Sequence, residues 1–155
     1  MLNSMTFRSL ICSAATLVLS CSLHAQDRGY WRAISNNAKA ITGDISISDT
    51  RVTINFYSYT IAHIRALNAA EVAAAFDADA STGGNGTLYR LNIPAEKRFL
   101  HKNTLCGTSD TQWMATYVAG RELKVAFFSG DSVPVLSMEA LPNSMEVCGS
   151  FTYGR

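Results

Sequence analysis

The chain has 155 residues and a formal net charge of +1, with 48% hydrophobic and 16% charged residues. That length fits one compact domain, and that balance excludes intrinsic disorder, which needs low hydrophobicity and high net charge. It also argues against a nucleic-acid-binding surface, which needs a clustered excess of Lys and Arg.

Residues 1–25 read as a secretory signal peptide. Arg8 and the free amine supply a positive start, the stretch from Ser9 to Leu23 carries no charge, and small Ala25 precedes the cut. The apolar stretch is short for a span, which takes about 20 residues, so no transmembrane span is expected in the mature chain. Val18-Leu19-Ser20-Cys21 resembles the bacterial lipobox, whose cysteine becomes the lipidated N-terminus, although Leu19 is larger than that position usually carries. Cleavage after Ala25 is the better reading, and lipidation at Cys21 the alternative. The expected location is periplasmic or secreted, with anchoring to the envelope through Cys21 as the alternative. Loss of 1–25 removes Arg8 and no acid, so residues 26–155, a single secreted domain, carry no net charge. Such a balance favours neither an anionic membrane surface nor nucleic acid.

The cysteines agree with export. Cys12 and Cys21 lie in the leader, which leaves Cys106 and Cys148. An even pair in an oxidising compartment predicts a disulfide, typically contributing about 2–4 kcal/mol. Neither belongs to a C-x-x-C, so a thioredoxin-like redox role has no support.

The mature chain reads as mostly β. Trp31 is expected at a core edge. In Ile41–Ser48, Ile45 and Ile47 alternate with Ser46 and Ser48, the period of a half-buried strand. Asp49-Thr50 makes a turn. Val52, Ile54 and Phe56 then alternate with polar or aromatic neighbours, and β-branched residues favour a strand there. Tyr59–Leu67 continues the meander. One helix follows: Asn68 caps it, Glu71 completes a capping box, and Val72 and Phe76 share a face that can dock on the sheet. Its end is expected near Asp79, before a Gly-rich loop.

Strands resume at Thr87–Ile93 and stop at Pro94. A connector from Ala95 to Asn103 carries Lys97, Arg98, His101 and Lys102. Trp113–Val118 and Glu122–Phe128 form a hairpin around Gly120. Val133–Leu141 reads as a further strand or a short helix, and Met145–Tyr153 closes the fold. In that last strand Val147, Phe151 and Tyr153 are expected on one face and Cys148 on the other. The whole is mainly β: a small antiparallel β-barrel or sandwich of seven or eight strands with one short helix. In a barrel the last strand meets an early one, so 41–57 is expected beside 147–153.

Motifs for chemistry are missing. His63 and His101 are far from any other His or Cys, so zinc spacing is absent. Asp77-Ala78-Asp79 lacks the remaining oxygen ligands of a calcium loop. There is no G-x-S-x-G, and Gly83-Gly84-Asn85-Gly86 lacks the lysine and helix of a phosphate loop. No catalytic, cofactor-binding or metal residue is assigned, and an enzyme is not expected. Two surface features remain. Tyr57, Tyr59, His63 and Arg65 form a candidate binding patch, since Tyr and Arg are typical of hot spots, though ordinary sheet decoration explains them as well. The basic connector either meets an acidic partner or is simply solvated.

The plan of a signal peptide, a small β-barrel and one disulfide is similar to that of bacterial periplasmic lysozyme inhibitors and of calycin-like carriers. Ser129-Gly130 resembles the Ser-Gly of the inhibitor loop, but Asp131-Ser132-Val133 lacks the tyrosine that follows it there. No functional residue carries over. The reading is a non-enzymatic protein-binding or inhibitor-like module with a protein partner in the periplasm. The alternatives are a small-ligand carrier and a lipid-anchored structural protein of the envelope. Large inward residues, Phe56, Trp113, Phe127 and Phe151, argue for a filled interior over a ligand cavity.

Overall fold

A computed structural model of the chain describes residues 26–155 except Ala80 and Thr82. The proposed signal peptide and Cys21 lie outside the described residues. No helix among the described residues is long and apolar enough to cross a membrane.

The protein is mainly β, with one short helix. Nine strands run β1 (Gly29–Ala33), β2 (Ile45–Ile47), β3 (Arg51–Ile54), β4 (Tyr57–Thr60), β5 (Ala62–Ala66), β6 (Asn85–Ile93), β7 (Thr111–Ala119), β8 (Glu122–Phe128) and β9 (Val147–Gly154). They form one antiparallel sheet in the order β4-β3-β2-β1-β9-β8-β7-β6-β5. The sheet is not closed. Its two edges, β4 and β5, are consecutive in the chain and separated by Ile61, whose N–H donates to the Thr50 carbonyl at 2.9 Å. That residue splits the expected Tyr59–Leu67 run: its first half pairs with β3 and its second with β6.

Short hairpins carry most of the topology. Ala119 faces Glu122, which leaves Gly120 and Arg121 as the β7–β8 turn, with Gly120 at φ 59°. Only glycine takes that left-handed conformation without steric cost. The strand that meets β9 is β1, through Arg32↔Gly154 and Ala33↔Tyr153, and not the 41–57 segment. The reason is local. Ala38–Thr42 winds into a π-helical turn between β1 and β2, and Thr42 Oγ1 hydrogen-bonds the Tyr153 hydroxyl at 2.7 Å.

The sheet has two apolar faces. Inside lie Trp31, Ile45, Ile54, Met114, Phe127, Phe151 and Tyr153. Trp31 is fully buried rather than at an edge. Its indole N–H donates to the Asp27 carbonyl at 2.7 Å, and the Arg155 guanidinium lies 4.2 Å from its ring centre. Asp27 is itself buried, and its Oδ2 accepts from Tyr89 and Thr116. The outer face of β6–β8 forms a second cluster with Val72, Phe76, Leu88, Trp113, Phe128 and Leu136. Trp113 belongs here and not to the interior, because the register sets it opposite Phe128 rather than Phe127.

Helix α1 (Ala69–Phe76) covers part of this outer face. Asn68 Oδ1 accepts from the Glu71 N–H at 3.0 Å, and Glu71 Oε2 accepts from the Asn68 N–H at 2.9 Å. This is the expected capping box. Asp77, at φ 48°, ends the helix. A Cβ on Gly86 would fall 2.8 Å from Val72 Cγ2, so glycine is what lets α1 approach β6 so closely. The segment 133–141 is neither strand nor regular helix until the 3-10 turn Leu141–Asn143. Its alternating Val133 and Val135 are exposed, while Pro134 and Leu136 turn inward.

A bulge in β9, where Phe127 pairs with Gly149 but Phe128 with Val147, shifts the expected alternation. Val147 is exposed, and Cys148 packs against the same inner cluster as Phe151 and Tyr153. Cys148 forms the disulfide with Cys106, with Cα atoms 4.7 Å apart.

Candidate functional site

The β3–β4 hairpin presents the most unusual residue on the surface. Ile54 pairs with Tyr57, so its loop is the dipeptide Asn55-Phe56, with φ of 47° and 69°. Two-residue loops with both φ positive match the twist of the flanking strands, and they favour Asn-Gly. Asn55 fits that rule and Phe56 does not. A Cβ in this conformation crowds the backbone. Phe56 gains no burial in return, because it is 97% exposed. The alternation Val52, Ile54, Phe56 suggests an inward Phe56; the turn breaks the alternation at Asn55 and puts the ring in water instead.

Phe56 borders an open groove of about 340 Å³, formed with Tyr30, Gly43, Asp44, Thr53 and Leu100. Its floor is polar. The Tyr30 hydroxyl donates to Asp44 Oδ2, and the Ala33 N–H donates to Asp44 Oδ1 at 2.9 Å. These two donors, Tyr30 first, hold the Asp44 carboxyl below its ordinary range. The same hydrogen bond raises the Tyr30 phenol. Tyr30 is 59% exposed, so its ring serves as wall rather than core.

The basic connector closes one side. Lys97 Nζ lies 3.3 Å above the Tyr57 ring. Beyond it, the 3-10 turn Leu100–Lys102 places Leu100 in the groove. Asn103 Nδ2 donates to the Ala40 carbonyl at 3.1 Å, which ties this turn to the π-helical turn bearing Lys39. His101 and Lys102 have φ of 54° and 62°. Apart from Asp77, every described non-glycine residue with positive φ thus lies in the groove or immediately beside it. Backbone strain of this kind collects at functional sites.

The four residues of the expected patch have different surroundings. Tyr57 follows Phe56 in the hairpin and carries Lys97 over its ring. Tyr59 turns inward, its ring 6.4 Å from Phe99 and its hydroxyl buried without a partner among the described residues. Burial pushes the Tyr59 phenol up to about 12. His63 is exposed and stands edge-on to Tyr89, with ring centres 5.9 Å apart. Arg65 grips Glu71 through two hydrogen bonds of 2.7 and 2.8 Å and so anchors α1. His101 is exposed on the connector. Ser129, of the Ser-Gly pair, is buried and its N–H donates to the Glu146 carbonyl at 2.9 Å. Among the described residues, no three His, Cys, Asp or Glu side chains group as metal ligands.

A second groove, of about 330 Å³, runs between α1 and the 141–150 segment, along Ala74, Ala75, Ala126, Pro142 and Gly149. Phe128 is the aromatic residue in its lining, and it is buried. The chain matches no protein-family model, no curated protein and no solved structure.

Proposed function

We propose that the protein is a non-enzymatic, exported binding module, inhibitor-like in plan, that engages another protein through the Phe56 hairpin and its adjoining groove. The observation that carries this reading is Phe56 itself. A bulky aromatic occupies a left-handed turn position where glycine suits the fold better, and it is 97% exposed. The fold derives nothing from the side chain, and an exposed aromatic anchor is what a protein interface uses. Tyr30 and Tyr57 flank it, each about half exposed.

Two further observations support the reading. The interior is filled by Trp31, Phe127, Phe151 and Tyr153, which favours a binding surface over an internal ligand cavity. The Cys106–Cys148 disulfide fits an oxidising, extracytoplasmic compartment. Within that compartment, a soluble periplasmic or secreted form released after Ala25 is the form proposed, with anchoring through Cys21 as the alternative.

Site-specific photocrosslinking tests the proposal. A benzoylphenylalanine replaces Phe56 in the exported protein, and irradiation of intact producing cells should give a discrete protein adduct. The same group at exposed Asp131 should give none. No adduct at position 56, or the same adducts at both positions, would remove the groove as a protein-binding surface.

A further inference from the structure

We infer that the partner offers this groove an acidic segment, with an apolar side chain seated beside Phe56 and carboxylates facing the connector at the rim. The inference rests on the proposed binding role and adds the chemistry of what is bound.

The argument is one of charge placement. Residues 26–155 carry no net charge, so any excess of one sign is local. The connector from Ala95 to Asn103 carries Lys97, Arg98 and Lys102 against the single acid Glu96. Lys39 adds a cation from the turn that Asn103 ties to the connector. None of these four cations takes part in an ion pair among the described residues; the pairs there are Arg28–Asp49, Arg65–Glu71 and Lys124–Glu122. The cations of the connector and of the turn tied to it are therefore not neutralised by an ion pair among the described residues.

The position of the groove's own acid says where a partner's carboxylates belong. Asp44 lies in the floor, and its two oxygens are already engaged by Tyr30 and Ala33. A second carboxylate driven into the floor would meet like charge. The connector instead offers cations close by in the chain: Lys97, which sits on the Tyr57 ring one residue from Phe56, and Lys102, two residues after groove-lining Leu100. A volume of about 340 Å³ is at the small end for a ligand pocket and suits an anchoring side chain. Aromatic anchor, apolar socket and flanking cations thus specify an acidic, apolar-centred segment of a protein.

Short random peptides displayed on phage, selected against the disulfide-bonded mature protein, test this directly. Enriched peptides should place an aromatic or aliphatic residue between Asp and Glu. Phe56→Gly should weaken them roughly thirtyfold, as loss of a hot-spot aromatic does. The double variant Lys97→Glu/Lys102→Glu should weaken them about tenfold, and added salt should weaken the parent protein's binding in the same sense. Peptides that depend on Phe56 but are neutral or basic would overturn the acidic inference and leave the binding role standing. Selection that yields no Phe56-dependent peptide would overturn both. Pelleting with phosphatidylglycerol vesicles is the remaining arm: Phe56-dependent pelleting would replace the protein partner with an anionic lipid surface.

Discussion

Phe56 and Tyr59 stand three residues apart, and each works against stability for a different reason. At Phe56 the cost is backbone strain. Phe56→Gly creates the Asn-Gly pair that such turns prefer and removes no buried contact. It should therefore raise stability by about 1 kcal/mol, measured by urea denaturation. A loss of stability would mean that the ring supports the fold, and the case for a binding role would go with it. At Tyr59 the cost is a buried hydroxyl without a partner. Tyr59→Phe should be neutral or stabilising by about 1 kcal/mol in the same assay. The sign of the pH dependence follows. Burial raises the Tyr59 phenol from 10.0 to about 12, so the neutral form is the one the fold favours. Tyr89 and Tyr153 are raised in the same direction by burial. Their contribution is complete below pH 10 and is lost as pH rises through the folded values. Stability should hold up to about pH 10 and fall above it, with the Tyr59→Phe variant falling less steeply. Neither residue's position was readable beforehand. Period-two alternation places Phe56 inside, and only the two-residue turn at Asn55 reverses it.

At the scale of elements, legibility follows how local the determining contacts are. The helix was readable because a capping box needs only Asn68 and Glu71. The β7–β8 hairpin was readable because alternation and Gly120 lie within it. The 133–141 segment was not, because its apolar residues follow no sheet neighbour and instead cover the outer face of β7–β8, with Leu136 beneath. The face of Cys148 was hidden by a bulge, which inserts a residue without any mark in the pattern. The strand pattern puts Arg65 in a surface patch, and its side chain bonds Glu71 on α1. The Glu71 carboxylate makes the reciprocal half of the capping box and the two-bonded pair with Arg65, so Glu71→Ala removes both at once while the bond from the backbone N–H of residue 71 to Asn68 Oδ1 stays. It should cost about 1 kcal/mol, the lost hydrogen bond to the Asn68 N–H supplying most because Arg65 is partly exposed. Arg65→Ala, which spares the cap, should cost less than half as much in the same urea titration. Equal losses would place the weight on the ion pair. The pair also holds the Glu71 carboxyl below its ordinary value. Its contribution is therefore present above the unfolded value of 4.5 and fades as pH falls through the lower, folded one.

Over the whole molecule, the strand content was legible and the closure was not. Pairing between β1 and β9 joins residues more than a hundred positions apart, and nothing local in Gly29–Ala33 marks it as the partner of the last strand. The groove was invisible for the same reason. Tyr30, Asp44, Phe56 and Leu100 meet only because the early turns and the connector gather at one end of the sheet. The disulfide is the covalent part of that gathering. It ties the chain just after the connector, at Cys106, to the start of β9, and it closes a loop spanning 42 residues. Loop-closure entropy for that length gives a stabilisation of about 4 kcal/mol, before any relaxation of the native state. A domain of this size stands only about 5–15 kcal/mol above its unfolded state. Reduction should therefore lower the urea midpoint sharply without unfolding the protein at room temperature, because the two apolar clusters remain. Cys106→Ala/Cys148→Ala should behave as the reduced protein does. Its groove should also bind acidic peptides more weakly, since the connector that carries Lys97, Leu100 and Lys102 loses its tether to the sheet. Full retention of peptide affinity in the double variant would show that the Asn103–Ala40 hydrogen bond and the Lys97–Tyr57 contact hold the connector unaided. The bridge would then serve only the global fold.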